Sequence, residues 1–358
     1  TSHVFDLIYD IASTIGSEIN PTQMSAVSEG PARVRIDPVE PRAVDAYTLG
    51  IMHLDRLTPD GIRTAIDQFE TVVAIEPQFA LAWGQLAAAY ALEALYGFAQ
   101  PRASIEKARA ASLKAIEADD QMSIGHASLG FVQLWTGELD GACESFEEAL
   151  RLNPSAPFAL HGSADCLMLD GRMDESIAQL RKLAMVGPLE AMHSMPLPIH
   201  LSMVGRFDEA VIAARDVQVR VPHLSVHQFL AEVYWQQGHI DRALEEERLE
   251  LKRRGDTVLL EALEEGLETD GPTGAMRSMA EVLVARASES YVDPFGIGET
   301  YARAGMVDEA LHWLDEAARH GSYTMTYLAF WPHLDAVRDD PRYADLLQRV
   351  YGEKAEEI

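Results

Sequence analysis

A turn of one composition recurs along this chain at an almost constant interval. It consists of a glycine, an aspartate three residues later, and an alanine or serine two residues after that; the glycines are Gly137, Gly171, Gly205, Gly238 and Gly305. These glycines are 34, 34, 33 and 67 residues apart, and Gly271 divides the last interval into 33 and 34. Pro154, Pro188 and Pro222 are also 34 residues apart. A period of this length predicts an array of similar, stacked units.

Each landmark has a physical role in a helix–turn–helix unit, and residues 123–154 show that unit most fully. Glycine adopts the left-handed conformation that ends a first helix. The aspartate is expected to cap the free N–H groups of the second helix and to favour its positive end. The small residue lets two helices approach closely, and a proline ends the second helix.

The unit at 123–154 resembles a tetratricopeptide repeat, whose pattern is W-x2-L-G-x2-Y…A-x3-F…P. The matching residues are Leu129, Gly130, Ala142, Phe146, Ala149 and Pro154. We therefore predict an all-α, right-handed superhelical tetratricopeptide solenoid of about eight helical pairs, closed by a C-terminal capping segment.

The pattern divides the chain into four predicted parts. Residues 1–20 carry an apolar stripe at helical spacing, which predicts an amphipathic helix that ends an upstream domain or covers the solenoid. Residues 21–42 are rich in proline and predict a linker. Residues 43–320 predict the solenoid. Residues 321–358 abandon the repeat and predict the cap that the last pair needs.

Three runs carry a more specific resemblance, at residues 65–83, 291–314 and 334–347. They resemble the C-terminal tetratricopeptide region that follows a TolB-like domain in bacterial winged-helix regulators, adenylate cyclases and protein kinases. Residues 5–19 are similar to the last helix of that TolB-like domain. The resemblance implies a regulatory part of a bacterial signalling protein. An upstream effector domain is not in this chain, so no effector activity carries over.

The charge balance bears on partners. The chain has 29 basic and 57 acidic side chains, a formal net charge of −28. Such a surface repels phosphate backbones and anionic membranes, so we expect no direct contact with nucleic acid or membrane. The acidic surface suits basic partners or serves solubility, and the sequence leaves that choice open.

Two further features bear on the environment of the chain. Cys143 and Cys166 are the only cysteines; we expect reduced thiols in a cytoplasmic protein, although a disulfide between them stays open. Residues 80–99 are apolar enough to imitate a membrane span. Trp83, Leu86 and Tyr90 in this run match the repeat pattern, which favours a buried core helix instead.

The sequence contains few patterns that are typical of catalytic, metal-binding or cofactor-binding sites. It has no P-loop, HExxH, GxSxG, EF-hand or GxGxxG pattern. His223 and His227 are four residues apart, but no third ligand follows at a recognisable spacing. We therefore predict that the chain is not an enzyme, and we predict no metal and no cofactor. An enzyme with an unrecognised site is the least favoured hypothesis.

The informative positions are those expected to line the concave face, on the first helix of each pair. The candidate groove residues are Phe131, Leu134, Phe158, His161, Met168, Met192, Met195 and Trp235. This set is apolar and rich in methionine and aromatics, which suits an amphipathic helix or an extended apolar peptide. We therefore predict a sensor or interaction module that binds a protein or peptide.

Two alternatives compete with an open groove. A tight superhelix would bury much of this face against itself. In the other alternative the chain is a structural scaffold, with its own N-terminal helix, residues 5–19, in the groove, or with the solenoid self-associating as a homodimer to pair an absent effector domain.

Overall fold

The computed structural model describes residues 40–95, 101–186, 191–222 and 224–356. Throughout these ranges the regular structure is helical, and no strand occurs in them. The predicted N-terminal helix and most of the predicted linker lie outside the described residues, as does His223.

The helices follow one another in antiparallel pairs. Their bounds are α1 Pro41–Leu54, α2 Pro59–Ile75, α3 Ala80–Leu95, α4 Pro101–Ala118, α5 Ser123–Trp135, α6 Leu139–Leu152, α7 Pro157–Leu169, α8 Met173–Val186, α9 Ala191–Ser194, α10 Pro196–Met203, α11 Phe207–Arg220, α12 His227–Gln236, α13 Ile240–Arg254, α14 Thr257–Ala287, α15 Pro294–Arg303 and α16 Val307–His320. The first helix of the fifth pair is divided into α9 and α10. The fold is thus an all-α tetratricopeptide solenoid, as the repeat predicts.

The seventh pair is formed within α14. Asp270 and Gly271 leave the helical conformation in its middle, and Gly271 has a φ of 64°. Pro272 follows directly and lacks the N–H group that a continuous helix would need. The kink therefore takes the place of the turn that divides the other pairs.

The turn glycines have the predicted conformation. Those of the third, fourth, fifth, sixth and eighth pairs have φ values between 72° and 80°. In this region a side chain would be strained, which explains why glycine recurs there.

The capping role predicted for the turn aspartates is wrong. Asp140, Asp208 and Asp308 lie in the first turn of their helices rather than at the N-cap, and the N-cap residues there make no side-chain capping bond. The carboxylates lie two positions beyond the N-cap, which is too far along the helix to cap it. They still stabilise the helix through its dipole.

The chain after α16 turns back onto the solenoid. Two 3₁₀ helices, Tyr323–Phe330 and Pro332–Val337, form what we call the C-terminal segment, residues 323–337. They are followed by α17 Pro341–Tyr351 and a last 3₁₀ turn, Gly352–Glu356. One apolar core joins Met325 and Leu328 of the segment to Phe131 and Leu134 of α5. The segment therefore packs on the third pair as well as the last.

Side chains of α17 and of Arg338, just before it, hold the backbone of the C-terminal segment. The Tyr343 hydroxyl donates to the Leu328 carbonyl (2.7 Å), and the Tyr351 hydroxyl donates to the Thr326 carbonyl (2.9 Å). Arg338 donates to the carbonyls of Ala329 and Trp331, both at 2.8 Å. These bonds satisfy carbonyl groups that a 3₁₀ segment would otherwise bury unpaired.

The expectation of reduced thiols is wrong. Cys143 on α6 and Cys166 on α7 form a disulfide, with Cα atoms 5.8 Å apart. Stacking of the third pair on the fourth brings these helices together, which the linear spacing of 23 residues did not reveal. The described helices include none with the length and apolar character required to cross a membrane.

Candidate functional site

The predicted groove residues do not form one open surface. Phe131, Leu134 and Met168 are buried, each 4% exposed or less. Phe158 and His161 are half-buried beside the Phe131 ring, with ring centroids 5.8 and 5.4 Å from it. The structure thus brings together the aromatic members of the set on α5 and α7.

The other members lie elsewhere. Met195 packs in a separate apolar cluster of the fifth and sixth pairs. Trp235 lies under the guanidinium of Arg303, 4.4 Å from its ring centroid. The side chain of Met192 is outside the described part of the chain.

The C-terminal segment lies along the first helices that were expected to line the groove. The Tyr323 ring packs on Trp135 of α5, with centroids 5.9 Å apart. The Tyr327 hydroxyl donates to Asp165 Oδ2 on α7 (3.1 Å), and its ring lies 6.3 Å from that of His200 on α10. This half of the segment therefore contacts three successive pairs.

The second half of the segment continues along the later pairs. His333 Nδ1 lies 2.8 Å from the side-chain amide of Gln236 on α12, and His333 Nε2 lies 3.8 Å from Glu299 Oε1 on α15. The Trp331 ring meets Phe295 edge-on at 5.4 Å. Beyond the segment, Lys354 pairs with Asp140 and Asp170 at 3.2 and 3.4 Å. The C-terminal segment thus places an aromatic-rich stretch against the first helices of five pairs.

Two clusters of buried polar groups lie under the segment. The first, the Asp165 cluster, consists of His161, Asp165, His200 and Tyr327. Asp165 Oδ1 accepts a hydrogen bond from His200 Nε2 (3.0 Å), and Ser176 Oγ lies 2.9 Å from His200 Nδ1. Burial lowers the pKa of His161. Burial and the neighbouring carboxylate raise the pKa of Tyr327 well above its usual value, so the phenol keeps its proton and donates it.

The second cluster, the Glu299 cluster, consists of Glu232, Glu299, Arg303 and His333. Burial raises the pKa of Glu299 to about 7, although the Arg303 cation opposes that shift. Burial also raises the pKa of Glu232 well above its usual value, and the nearby Glu299 adds to this. Burial and Arg303 lower the pKa of His333, which is therefore neutral.

Sequence reasoning missed most of these polar residues. His200 follows Asp165 by 35 residues, about one repeat, but lies one position beyond the place expected to face the groove. Histidine and aspartate within otherwise apolar first helices were the available signal. Tyr327 and His333 were assigned to a cap, because no local pattern tells which earlier helix a terminal segment will contact.

The family described as "Tetratricopeptide repeat" matches residues 134–187, which span α6 to α8. A comparison with curated proteins found no match.

Similar solved structures include TTC0263, a thermophilic TPR protein of Thermus thermophilus, at 19% identity over 50% of this chain and 92% of that one, with a TM-score of 0.41. PilF of Pseudomonas aeruginosa shares 14% identity over 59% and 91% of the two chains, with a TM-score of 0.39. YrrB, described as a TPR protein with an unusual peptide-binding site, shares 16% identity over 51% and 87%, with a TM-score of 0.31.

Proposed function

We propose that this solenoid is a non-enzymatic protein-interaction module whose concave face binds an aromatic-rich peptide, and that the C-terminal segment competes for that face. It would serve as the regulatory part of a bacterial signalling protein. The observation that carries the proposal is that residues 323–337, two short 3₁₀ helices, pack across the first helices of successive pairs.

The contacts of the segment indicate what such a ligand needs. Tyr327 supplies a ring and a hydroxyl donor to a buried carboxylate, and Leu328 is fully buried in the same core. His333 supplies a polar group to Gln236. An aromatic anchor with a donor at its tip, followed by an apolar side chain, gives both affinity and register.

Competition by the chain's own segment would keep the affinity for outside peptides low. A tethered segment acts at an effective concentration on the order of millimolar, which an outside ligand must exceed in binding strength. A partner that binds tightly enough would displace the C-terminal segment from the solenoid and so change the conformation of the C-terminal part of the chain. This makes the solenoid a sensor rather than a passive scaffold.

The test uses the full chain and a fluorescent peptide of residues 322–338, with binding measured by anisotropy. Tyr327→Phe removes the hydrogen bond to Asp165 from the tethered segment, whereas the added peptide keeps it. We expect this variant to bind the peptide about 5-fold more tightly than the unaltered chain, the equivalent of one hydrogen bond of about 1 kcal/mol. Tyr234→Phe, on α12, is the matched control and should bind like the unaltered chain. Failure of the Tyr327→Phe chain to bind the peptide would overturn the proposal.

A second candidate function, assembly, is supported by the first helix. Leu49 and Met52 on α1 are 45% and 57% exposed, and no earlier pair covers them among the described residues. Residues 5–19 carry an apolar stripe and precede α1, so they are the proposed cover, within the chain or across a homodimer. Light scattering of the full chain and of a chain starting at Glu40 tests this. Equal masses and equal binding of a hydrophobic dye would contradict it.

A further inference from the structure

The Asp165 cluster brings three metal-binding side chains to one point. His161 and Asp165 are four residues apart on α7, so both lie on one face of that helix. His200 approaches from α10. One ligand atom from each of the three lies within 4.8 Å of the others. Asp165 Oδ1 is 3.0 Å from His200 Nε2, and Asp165 Oδ2 is 3.8 Å from His161 Nε2.

The charge at this point is not balanced by a permanent cation. The side chain of Asp165 is completely buried, and within the described part of the chain its ion-pair partners are the two histidines. Its remaining partner is the neutral hydroxyl of Tyr327. A buried carboxylate is costly unless it is paired or coordinates a metal.

We propose that His161, Asp165 and His200 form a binding site for a divalent transition-metal ion, with Zn²⁺ as the best fit. Two imidazole nitrogens and one carboxylate oxygen form a donor set that zinc uses, with a fourth position left open. In a tetrahedral zinc site, ligand atoms are about 3.3 Å apart, given metal–ligand distances of about 2 Å. The two observed separations involve different oxygens of Asp165, Oδ1 at 3.0 Å from His200 Nε2 and Oδ2 at 3.8 Å from His161 Nε2, so a side-chain rotation must bring one oxygen within reach of both nitrogens.

The surroundings orient the ligands. Ser176 Oγ lies 2.9 Å from His200 Nδ1 and would accept a hydrogen bond from Nδ1–H once a metal ion takes the place of the Nε2 proton that now faces Asp165. A hydrogen bond of this kind commonly fixes the tautomer of a metal-binding histidine. The Phe131 ring packs edge-on against His161, with centroids 5.4 Å apart, and restricts its rotation.

The Glu299 cluster serves as the internal contrast. Glu232, Glu299 and His333 also bring three ligand atoms within 4.8 Å. However, the buried guanidinium of Arg303 lies among these carboxylates and pairs with Glu247 at 4.0 Å. A second cation there would be repelled, so the proposal is confined to the Asp165 cluster.

Metal binding would connect the solenoid to the C-terminal segment. The Tyr327 hydroxyl lies 3.1 Å from Asp165 Oδ2. From there it would donate a hydrogen bond to the Asp165 oxygen that does not bind the ion, or would itself occupy the fourth coordination position. The ion would therefore cross-link α7, α10 and the C-terminal segment. The inference stands independently of peptide binding, because it concerns only the ion and its ligands.

The test uses the full chain, stripped with a chelator and with its disulfide intact. Cobalt(II) is titrated first, since its visible absorption reports the coordination geometry, and Zn²⁺ is then added to displace it. We expect one ion per chain and the spectrum of a tetrahedral or five-coordinate site. Zn²⁺ should also raise the melting temperature, because it binds the folded state.

His161→Gln is the decisive variant, because this side chain is only half-buried and its loss leaves the Asp165–His200 pair in place. We expect at least a 10-fold loss of Zn²⁺ affinity in calorimetry. His126→Gln is the matched control and should keep the unaltered affinity; that histidine lies on α5 and contacts the Asp120 carbonyl.

Equal affinity of the unaltered chain and His161→Gln would overturn the proposal, as would the absence of binding by the folded, unaltered chain. If His161→Gln fails to fold, the cobalt spectrum of the unaltered chain decides. An octahedral spectrum would then overturn the proposal.

Discussion

The two polar clusters under the C-terminal segment place buried carboxylates in similar positions but balance them differently. At the Asp165 cluster the partners are two histidines and a phenol. At the Glu299 cluster the partner is a permanent cation, Arg303, together with a second carboxylate, Glu232. Buried carboxylates in the same repeat geometry are therefore stabilised in two ways, by histidine and tyrosine side chains or by an arginine.

The difference separates two kinds of control over one segment. The Asp165 cluster is held by hydrogen bonds and can accept a cation, so it would respond to a metal ion. The Glu299 cluster contains two carboxyl groups with raised pKa values near one arginine, so it would respond to pH. The C-terminal segment touches both, through Tyr327 and through His333.

The largest expected effect comes from removing Asp165. Asp165→Ala leaves His200 and Tyr327 buried without their acceptor, and we expect a loss of about 4 kcal/mol in the free energy of unfolding. The matched change Glu299→Ala removes a carboxyl group that is largely protonated below pH 7, and should cost about half as much. Urea unfolding at pH 6 measures both. Asp174→Ala, at a side chain that is 99% exposed, should change stability by less than about 0.5 kcal/mol. Equal costs for the two buried changes would remove the distinction between the clusters.

Reduction of the disulfide should destabilise the helices around the Asp165 cluster more than those around the Glu299 cluster. Cys143 and Cys166 are 23 residues apart and belong to the apolar core that contains Phe131, and opening their disulfide should cost about 3 kcal/mol in the chain-entropy account. Hydrogen exchange should rise in α6 and α7 more than in α15. A Cys143→Ser, Cys166→Ser chain, which is insensitive to reductant, is the control. Alkylation of free thiols in the chain as isolated from its source shows whether the disulfide forms there. Complete labelling of both cysteines without prior reduction would contradict the disulfide.

An effect smaller than that of removing Asp165 should appear as a pH dependence of the free energy of unfolding that comes from the Glu299 cluster. The pKa of Glu299 is raised in the folded state to about 7 from the ordinary 4.5, so the folded state holds its proton more tightly. Its contribution to stability is therefore complete below pH 4.5 and lost as the pH rises through 7, by about 3 kcal/mol. Glu299→Gln should flatten this part of the stability profile, measured by urea unfolding between pH 4.5 and 8. An unchanged slope in that variant would assign the dependence to other groups.

The fold could be predicted from the sequence because its determinants are local and repeated. Gly130 illustrates this, since a Cβ atom there, as at Gly162, would lie within 3 Å of the Phe146 ring. The repeat pattern places Gly130 and Phe146 at this spacing, so this close helix packing could be predicted from the sequence, whereas Gly162 is not a pattern position. The positive φ values of the turn glycines follow from the same periodicity.

The site could be predicted only in part. The pattern placed Phe131, Phe158 and His161 near one another, because neighbouring pairs stack in register. It did not place Tyr327 on Asp165, a contact across 162 residues that no repeat encodes. The disulfide was missed for a related reason, since it depends on how one pair stacks on the next rather than on cysteine spacing.

The central claim is that the C-terminal segment is buried against the face formed by the first helices, and methionine oxidation tests it most directly. Met325 of the segment and Met168 on α7 are 5% and 0% exposed, whereas Met52 and Met185 are 57% and 67% exposed. After a brief exposure to peroxide under native conditions, peptide mass spectrometry should find Met52 and Met185 oxidised well before Met325 and Met168. Oxidation of Met325 and Met168 as fast as Met185 would show that the segment does not cover this face, and would contradict the account.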